Sequence, residues 1–571
     1  MMGTARGLVR DFLYSYIARY RRMVFLSLCL MLVVAVSRMA PAYILKVAID
    51  RFISRGDFYG LSLAALFYLA FICLEYAAIF LQIYVSQFFG QSVIRDMRLE
   101  TFTHLLGLPV PYFDRTPHGK NLQYVTNDME NINEFITSGI VTTAGDVITI
   151  AGILAVMFYL SVPLTAVVIL FFLILFPLMN FFRKRFHQAY EKSRESVAEM
   201  NAFLGESLSG MYVAKAFDRG DAEKARFNAK NEGYMFAYQR VIFYLSLYFP
   251  FVESIGILSI LAILWASQPM LAMGAVTFGT IAAFMEYSHK LYNPIRDLSE
   301  KYNLFQNAQS SLDKLHKLHR MEGEEEGGAL TEAGGDIELR DVWLSYDGNE
   351  TYALKHVFLK VKEGERIGIV GLTGSGKTSL INLLLGFYHP TRGEIYLGGL
   401  PLADYSLDGI RKAFGIVSQD VFIFPRTIRE NLFAGEGAID PAVSRLMEGF
   451  LREGGVQRMI AEDGLNLSEG EKQLIAISRV IAYRPRYLIL DEATSRVDRY
   501  LEEKVKKIMA EEFPRATWLV IAHRISTMAE MDRIIVIHDG EVTEEGSHEQ
   551  LLEKGGIYRN LYDIYQRGGE L

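Results

Sequence analysis

The chain has 571 residues, too many for one ordinary hydrophobic core, so several domains are expected. Hydrophobic residues make up 51% and aromatic residues 12%, yet the formal charge is only −7 at pH 7. No basic block and no low-complexity tract is present, which argues against a nucleic-acid partner. The average hides two unlike halves: residues 1–310 carry repeated apolar runs, whereas residues 336–571 have the composition of a water-soluble α/β domain. Cys29 and Cys73 both sit inside apolar runs without metal-ligand spacing, so they are assigned to packing.

The opening residues, with Arg6, Arg10, Arg19, Arg21 and Arg22, precede an apolar run from Met23 to about Ile49. That run is too long for a secretory leader and has no small-residue cleavage site, so it is taken as a first transmembrane helix. Further spans are predicted near 60–84, 136–160, 163–183, 241–267 and 275–297, each able to cross roughly 30 Å of hydrocarbon. Six spans put both termini on one side. The arginine-rich start and the basic segment Arg183–Arg185 mark that side as cytoplasmic, and the short loops near 160–163 and 267–275 carry no Lys or Arg.

The intervals between spans two and three, and between four and five, are long and keep helical composition. An arm of about 25 residues, at 1.5 Å per residue, extends roughly 38 Å beyond the bilayer. Two helical hairpins are therefore expected to reach into the cytosol. Their tips are predicted at residues 109–119 and 213–221, where Phe113 and Phe217 suit docking on a partner domain better than a solvated turn. After the sixth span, residues 321–335 are acidic and glycine-rich, the composition of a mobile linker. The expected domains are thus 1–320, a membrane domain with coupling hairpins; 321–335, a linker; and 336–571, a nucleotide-binding domain. The alternating stretch Ile337–Leu344 opens that last domain as a strand.

Its central motif is Gly371-Leu-Thr-Gly-Ser-Gly-Lys-Thr378, which fits the G-x-x-x-x-G-K-[ST] pattern of a phosphate-wrapping loop. Gly371, Gly374 and Gly376 permit backbone conformations that aim amide N–H groups at anionic oxygens. Lys377 brings a mobile charge to the β- and γ-phosphates, and the Thr378 hydroxyl can ligate Mg²⁺. A short apolar strand, Glu365–Val370, precedes the loop. A helix, Thr378–Leu385, follows and turns its positive end to the phosphates. Downstream, Tyr487–Glu492 is an apolar strand ending in two carboxylates, at the end of a strand where α/β sites lie. Asp491 is placed to hold Mg²⁺ through water, and Glu492 to orient or deprotonate an attacking water.

Between these motifs stands Leu467-Ser-Glu-Gly-Glu471, followed by a helix from Lys472 to Tyr483. Here the chain resembles the ATP-binding-cassette superfamily, whose signature reads L-S-G-G-Q, and most closely its exporter half-transporters. The resemblance covers nearly the whole chain. It implies an α-helical membrane domain of six transmembrane helices with long cytoplasmic extensions, joined to an α/β nucleotide-binding domain with a helical signature subdomain. Tyr346 falls where the family stacks an aromatic on adenine. Gln419 matches the Q-loop, which contacts Mg²⁺ and the membrane domain; Ser495–Asp498 matches the D-loop, and His523 the switch histidine at the γ-phosphate. Gly274–Thr280 and Asn293–Ile295 look like the family's sixth-span region.

What the resemblance implies is an ATPase that drives alternating access in a dimer. Each ATP lies between one phosphate loop and the other subunit's signature. The catalytic set would be Glu492, His523 and Lys377. Nucleotide would be held by Tyr346, Gly371, Thr373, Gly374, Ser375, Gly376, Lys377, Thr378, Ser379, Gln419, Ser468, Gly470 and Asp491, with Mg²⁺ at Thr378, Gln419 and Asp491. Two departures stand out. Glu469 replaces the signature's first glycine and Glu471 its glutamine, putting negative charge and bulk near a γ-phosphate. The segment Met459–Asn466 also looks shortened. An intact hydrolytic set beside an altered signature is the pattern of the competent subunit of a heterodimer, with a homodimer tolerating the variant as the alternative.

Arg38, Glu75, Asp146, Glu253 and Glu286 fall in or near apolar runs, where charge is costly in lipid and faces a cavity or a partner. Their net acidity points to cationic amphiphiles as cargo; internal ion pairing accounts for it equally well. The expected activity is ATP-driven export of amphipathic drugs or lipids. An ATP-gated channel or regulatory subunit would use the same motifs. A soluble mechanical or DNA-associated ATPase would not carry six spans.

Overall fold

The computed structural model describes residues 14–296, 298–348, 351–432, 439–448, 455–491, 499–521 and 525–566. The chain divides into two compact units, one of Met1–Leu106 and His118–Glu322, the other of Gly107–Pro117 and Gly323–Leu571.

The first unit is a helical bundle. Helix α1 (Arg21–Val47) continues into a π-helical stretch, Ala48–Ile53. Then come α2 (Phe58–Leu106) and, in the second unit, the short α3 (Val110–Arg115). Helices α4 (His118–Val125) and α5 (Asn127–Glu134) lead through a second π-helical stretch, Phe135–Val141, into α6 (Thr142–Leu160). Helix α7 (Val162–Ser209) and α9 (Gly220–Ala272) form a long hairpin around the one-turn α8 (Met211–Ala216); α10 (Phe278–Arg296) and α11 (Leu298–His319) complete the unit. Long uninterrupted helices are what lipid demands, because every backbone N–H and C=O must be satisfied within the segment.

Spans and arms are single helices rather than separate elements. Helix α2 has 49 residues, roughly 74 Å at 1.5 Å per residue, which exceeds any bilayer. Among the described residues, four helical stretches are long and apolar enough to cross a membrane: Arg21–Ile53, Phe58–Leu106, His118–Leu160 and Gly220–Ala272. The predicted fourth span falls in α7, whose shorter apolar part is Val162–Ile174, and the sixth falls in α10. Five helices share one buried core: Ala42 of α1, Ile153 of α6, Val168 of α7, Ile263 of α9, and Phe284, Tyr287 and Leu291 of α10.

Most of the charges singled out in or near the apolar runs are paired. Arg38 Nε lies 3.2 Å from Glu75 Oε1, Lys290 lies 3.3 Å from Glu286, and Lys301 meets Asp146. Lys290 also donates to the Arg38 carbonyl at 2.8 Å. Of the acidic residues that pointed to a cationic cargo, only Glu253 is exposed without a cation beside it among the described residues. Pairing accounts for the rest, so the cationic inference loses its basis.

The second unit contains two sheets. Strands β1 (Ile337–Leu344) and β2 (Leu354–Val361) join β4 (Arg392–Leu397) and β5 (Leu400–Pro401) in an antiparallel sheet of order β2-β1-β4-β5. The second sheet has the order β10-β9-β3-β8-β7-β6. Its members are β3 (Arg366–Val370), β6 (Phe414–Val417), β7 (Tyr487–Asp491), β8 (Thr517–Ile521), β9 (Arg533–His538) and β10 (Glu541–Gly546); all but β10 run parallel. Alternate residues feed two cores. Ile369, Ile489, Ile521 and Ile535 face one, while Val370, Leu488, Val520 and Ile534 face the other. Burial on both faces is why these strands read as unbroken apolar runs.

The helices of this unit are α12 (Lys377–Leu384), α13 (Leu407–Ala413), α14 (Ile428–Asn431), α15 (Pro441–Met447), α16 (Glu469–Tyr483), α17 (Arg499–Glu512), α18 (Ile525–Met528), α19 (His548–Lys554) and α20 (Ile557–Gln566). Residues 321–335, expected to be a mobile linker, stay largely exposed but are tied down at several points. Glu324 N–H donates to Gly107 O at 2.7 Å, and Arg411 grips the Glu324 carboxylate with two nitrogens at 2.8 and 2.5 Å. Gly327 and Leu330 make bridges to Ser406 and Tyr405. The glycines that suggested mobility serve close packing: a Cβ on Gly328 would lie 2.0 Å from Asp404 O.

Candidate nucleotide site

The parallel strands end together. In register, Ile369 of β3 faces Ile521 of β8, which faces Asp491 of β7, and Leu490 of β7 faces Val417 of β6. The phosphate-loop motif leaves β3 at Gly371, Asp491 closes β7, and Gln419 lies two residues past β6. One sheet edge therefore gathers three motifs drawn from more than 100 residues of sequence. Glu492, Ser495, Asp498 and His523 lie outside the described residues.

The loop itself is built for close approach. Gly374 (φ 80°) and Gly376 (φ 110°) take the left-handed conformation that side chains disfavour. A Cβ at Gly371 would stand 2.3 Å from Ile537 O, so that position has no room for one. A Cβ at Gly374 would meet nothing within 4 Å among the described residues, so the loop is open to solvent there. Lys377 folds back to donate from Nζ to the carbonyls of Gly371 at 2.7 Å and Leu372 at 2.9 Å, fixing its charge over the loop. The buried Ser375 hydroxyl has no hydrogen-bond partner. Thr373 and Thr378 are exposed beside it. A buried hydroxyl without a partner among the described residues, a fixed ammonium, two left-handed glycines and the N-terminus of α12 fit a polyphosphate.

Tyr346 extends the site. Its hydroxyl donates to Ser379 Oγ at 2.9 Å, one turn into α12, and its ring meets the Tyr388 ring edge-on at 4.8 Å. The Tyr388 hydroxyl in turn donates to Asp114 Oδ2 of α3 at 2.6 Å, and Arg115 donates to the Tyr346 carbonyl. Burial, and then the Asp114 carboxylate, push the Tyr388 phenol well above its ordinary range, so it stays protonated and donates. Asp114 and Tyr388 escaped sequence reasoning because they stand 274 residues apart and carry no motif. The apolar tip was the sole signal: Leu108 is buried and Phe113 half-buried, as docking requires.

The signature segment begins α16. Ser468 is its N-cap, accepting from Glu471 N–H at 3.3 Å, while the Glu471 carboxylate takes hydrogen bonds from Ser468 N–H at 2.8 Å and Ser468 Oγ at 2.9 Å. This is a capping box, which glutamine also forms. Arg458, 3.6 Å from Glu471, compensates its charge further. The Glu471 carboxylate thus turns back onto its own helix. Glu469 is the exposed one, paired with Lys472 at 3.0 Å beside the half-buried Gly470. The segment Met459–Asn466 closes on itself, Asn466 bridging Ala461 N–H and the Met459 carbonyl.

The tip of the second arm, α8 with Phe217, is solvent-exposed in the single chain. Tyr212 is 86% exposed and Phe217 74% exposed.

Comparison with known proteins agrees with this geometry. Residues 24–295 match the family model of the ABC transporter transmembrane region, and residues 354–495 that of the ABC transporter. An ATP-dependent lipid A-core flippase of Desulfotalea psychrophila is 31% identical, the alignment covering 97% of this chain and 98% of that one. A probable multidrug resistance ABC transporter ATP-binding/permease protein, YheH of Bacillus subtilis, is 32% identical over 85% of this chain and 74% of its own. A solved structure of a bacterial Atm1-family ABC exporter with ATP bound matches with a TM-score of 0.80 over 96% of this chain and 100% of that one; at 24% identity the likeness is one of fold.

Proposed function

Since the chain belongs to the ABC transporter family and carries both a multi-pass membrane domain and an ATPase domain that binds ATP, we propose that it exports amphipathic small molecules or lipids from the cytoplasm as one half of a dimer. The observation that carries the reading is the single sheet edge holding Gly371–Thr378, Asp491 and Gln419, on the same chain as helices long enough to cross a bilayer.

In this reading the loop amides, Lys377 and Ser375 bind the phosphates, and Tyr346 with Ser379 holds the adenine side. Glu492 orients the attacking water and His523 meets the γ-phosphate. Thr378, Gln419 and Asp491 would hold Mg²⁺, a hard cation suited to a hydroxyl, an amide oxygen and a carboxylate. When bound, it neutralises charge on the leaving diphosphate. The working domains are the two units together with the arms, and both termini are cytoplasmic.

The exposed Tyr212 and Phe217 support a dimer, because an apolar tip of this kind needs cover that the single chain does not provide. The altered signature supports a heterodimer. ATP-dependent uptake of fluorescent amphiphiles and labelled lipids into inside-out vesicles tests the whole reading. Uptake should require ATP and fail in Lys377→Ala; an ohmic current without uptake would overturn export in favour of a channel.

A further inference from the structure

Three membrane spans meet at a feature unrelated to the nucleotide site. The start of span one, the end of span two and the start of span three all belong to the same side of the membrane by chain order. They enclose a cavity of about 90 Å³, lined by residues including Val24, Leu28 and Met31 of α1, Phe89 of α2, and Ile140 and Ala144. A cavity of about 150 Å³ admits benzene, so this one suits a slender chain rather than a ring.

Its wall is irregular by construction. The π-helical stretch Phe135–Val141 widens the start of span three and supplies Ile140, and such stretches are frequent at functional sites. The mouth opens to the side, where Leu28 is 42% and Ile140 41% exposed. Ser27, also in the lining, is buried with an unpartnered hydroxyl.

Arg21 and Arg22 lie in sequence between the lining residues Ile17 and Val24. Arg21 stands on the same helical stripe as Val24, Leu28 and Met31, at i, i+3, i+7 and i+10. Arg21 and Arg22 are exposed, and among the described residues neither makes an ion pair, whereas Arg95 is committed to Asp96 at 2.8 Å. An apolar slot with partly exposed walls, flanked along α1 by two exposed arginines within one turn of the lining residue Val24, matches one kind of occupant in a bilayer.

We propose that the cavity seats an acyl chain of an anionic membrane phospholipid, its phosphodiester held by Arg21 and Arg22. The leaflet assignment rests on the cytoplasmic termini proposed above; the site itself does not.

The test uses the purified full-length assembly in nanodiscs containing phosphatidylglycerol with a diazirine in its acyl chain. Photolabel should concentrate at Leu28, Met31, Phe89 and Ile140, and Ala144→Phe should remove it. Arg21→Gln with Arg22→Gln should lower labelling by about fivefold per arginine, the usual worth of one basic residue at an anionic surface. The matching phosphatidylcholine probe should label poorly. Label spread evenly over lipid-facing Leu66, Phe67 and Tyr76, or equal labelling by phosphatidylcholine, would overturn the proposal. The wild-type label map decides the matter even if Ala144→Phe fails to fold, and it is independent of whether the assembly transports any amphiphile.

Discussion

At the scale of single residues, the proposed function assigns some groups to binding and others to reaction. Glu492→Gln is expected to retain ATP and lose turnover by about 10²–10⁴-fold, the usual worth of a positioned general base. ATPase assays beside binding of a fluorescent nucleotide check this, and near-normal turnover would remove Glu492 from the role. Lys377→Ala is expected to weaken ATP binding instead, since the charge that rests over the loop on the Gly371 and Leu372 carbonyls is lost. The two signature carboxylates also part company. Glu471→Gln keeps the capping box and should leave thermal stability nearly unchanged, whereas Glu471→Ala should cost about 1 kcal/mol by losing a cap. Scanning calorimetry of both variants distinguishes capping from mere charge. The sequence announced these residues well, because phosphate loops and capping boxes are local patterns. It carried no sign of where the Glu471 carboxylate turns, since direction depends on Ser468 and Arg458 together.

Among elements, two strands were legible for different physical reasons: burial on both faces leaves an unbroken apolar run before the phosphate loop, whereas Ile337–Leu344 alternates because its residues differ in burial, and both emerge nearly to the residue. The arms were legible as helices but not as continuations of the spans, because hydropathy changes at the membrane surface while the helix does not. The packing of α3 within the second unit left only its apolar tip as a local trace. It gives a prediction at this scale. Tyr388→Phe removes the hydrogen bond to Asp114 and loosens a chain that runs through Tyr346 to Ser379 at the phosphate-loop helix. Stimulation of ATPase by transported amphiphile should fall several-fold, and Asp114→Asn, which keeps an acceptor, should fall less. Because burial and Asp114 raise the Tyr388 phenol's pKa in the folded state, the bond's contribution is whole below about pH 10, the ordinary phenol range, and is lost only as pH rises further. A pH profile of the stimulation from 6 to 9 should therefore show no limb from this group.

For the whole molecule, the remaining question is what sits opposite the signature. If the chain pairs with a different subunit, its own Lys377 and Asp491 meet an unaltered signature, while its Glu469 covers the partner's phosphate loop. Glu469→Gly should then change turnover little, but should raise it severalfold in a homodimer, where both sites would carry the extra charge. Native mass spectrometry of the detergent-purified assembly, followed by ATPase assays, decides between them. A homodimer hydrolysing ATP at two equivalent sites would sink the asymmetric reading. No sequence pattern within one chain specifies its partner; Glu469 is the nearest thing to a clue, because exposed charge there is costly only against phosphate.

The second unit is not one stretch of chain. It takes in Gly107–Pro117 from far upstream, clasped by Tyr388 and by Glu324, and it starts at Gly323, well before its first strand. Evolution by module exchange thus faces a constraint. A nucleotide domain transplanted from a relative at residue 336 would arrive without the Glu324 clamp on Arg411 and without the eleven residues its surface was shaped around. A functional chimaera would have to be grafted twice, at 107–117 and at 323–571, so the two segments should be inherited together even though more than 200 residues of membrane-domain sequence separate them.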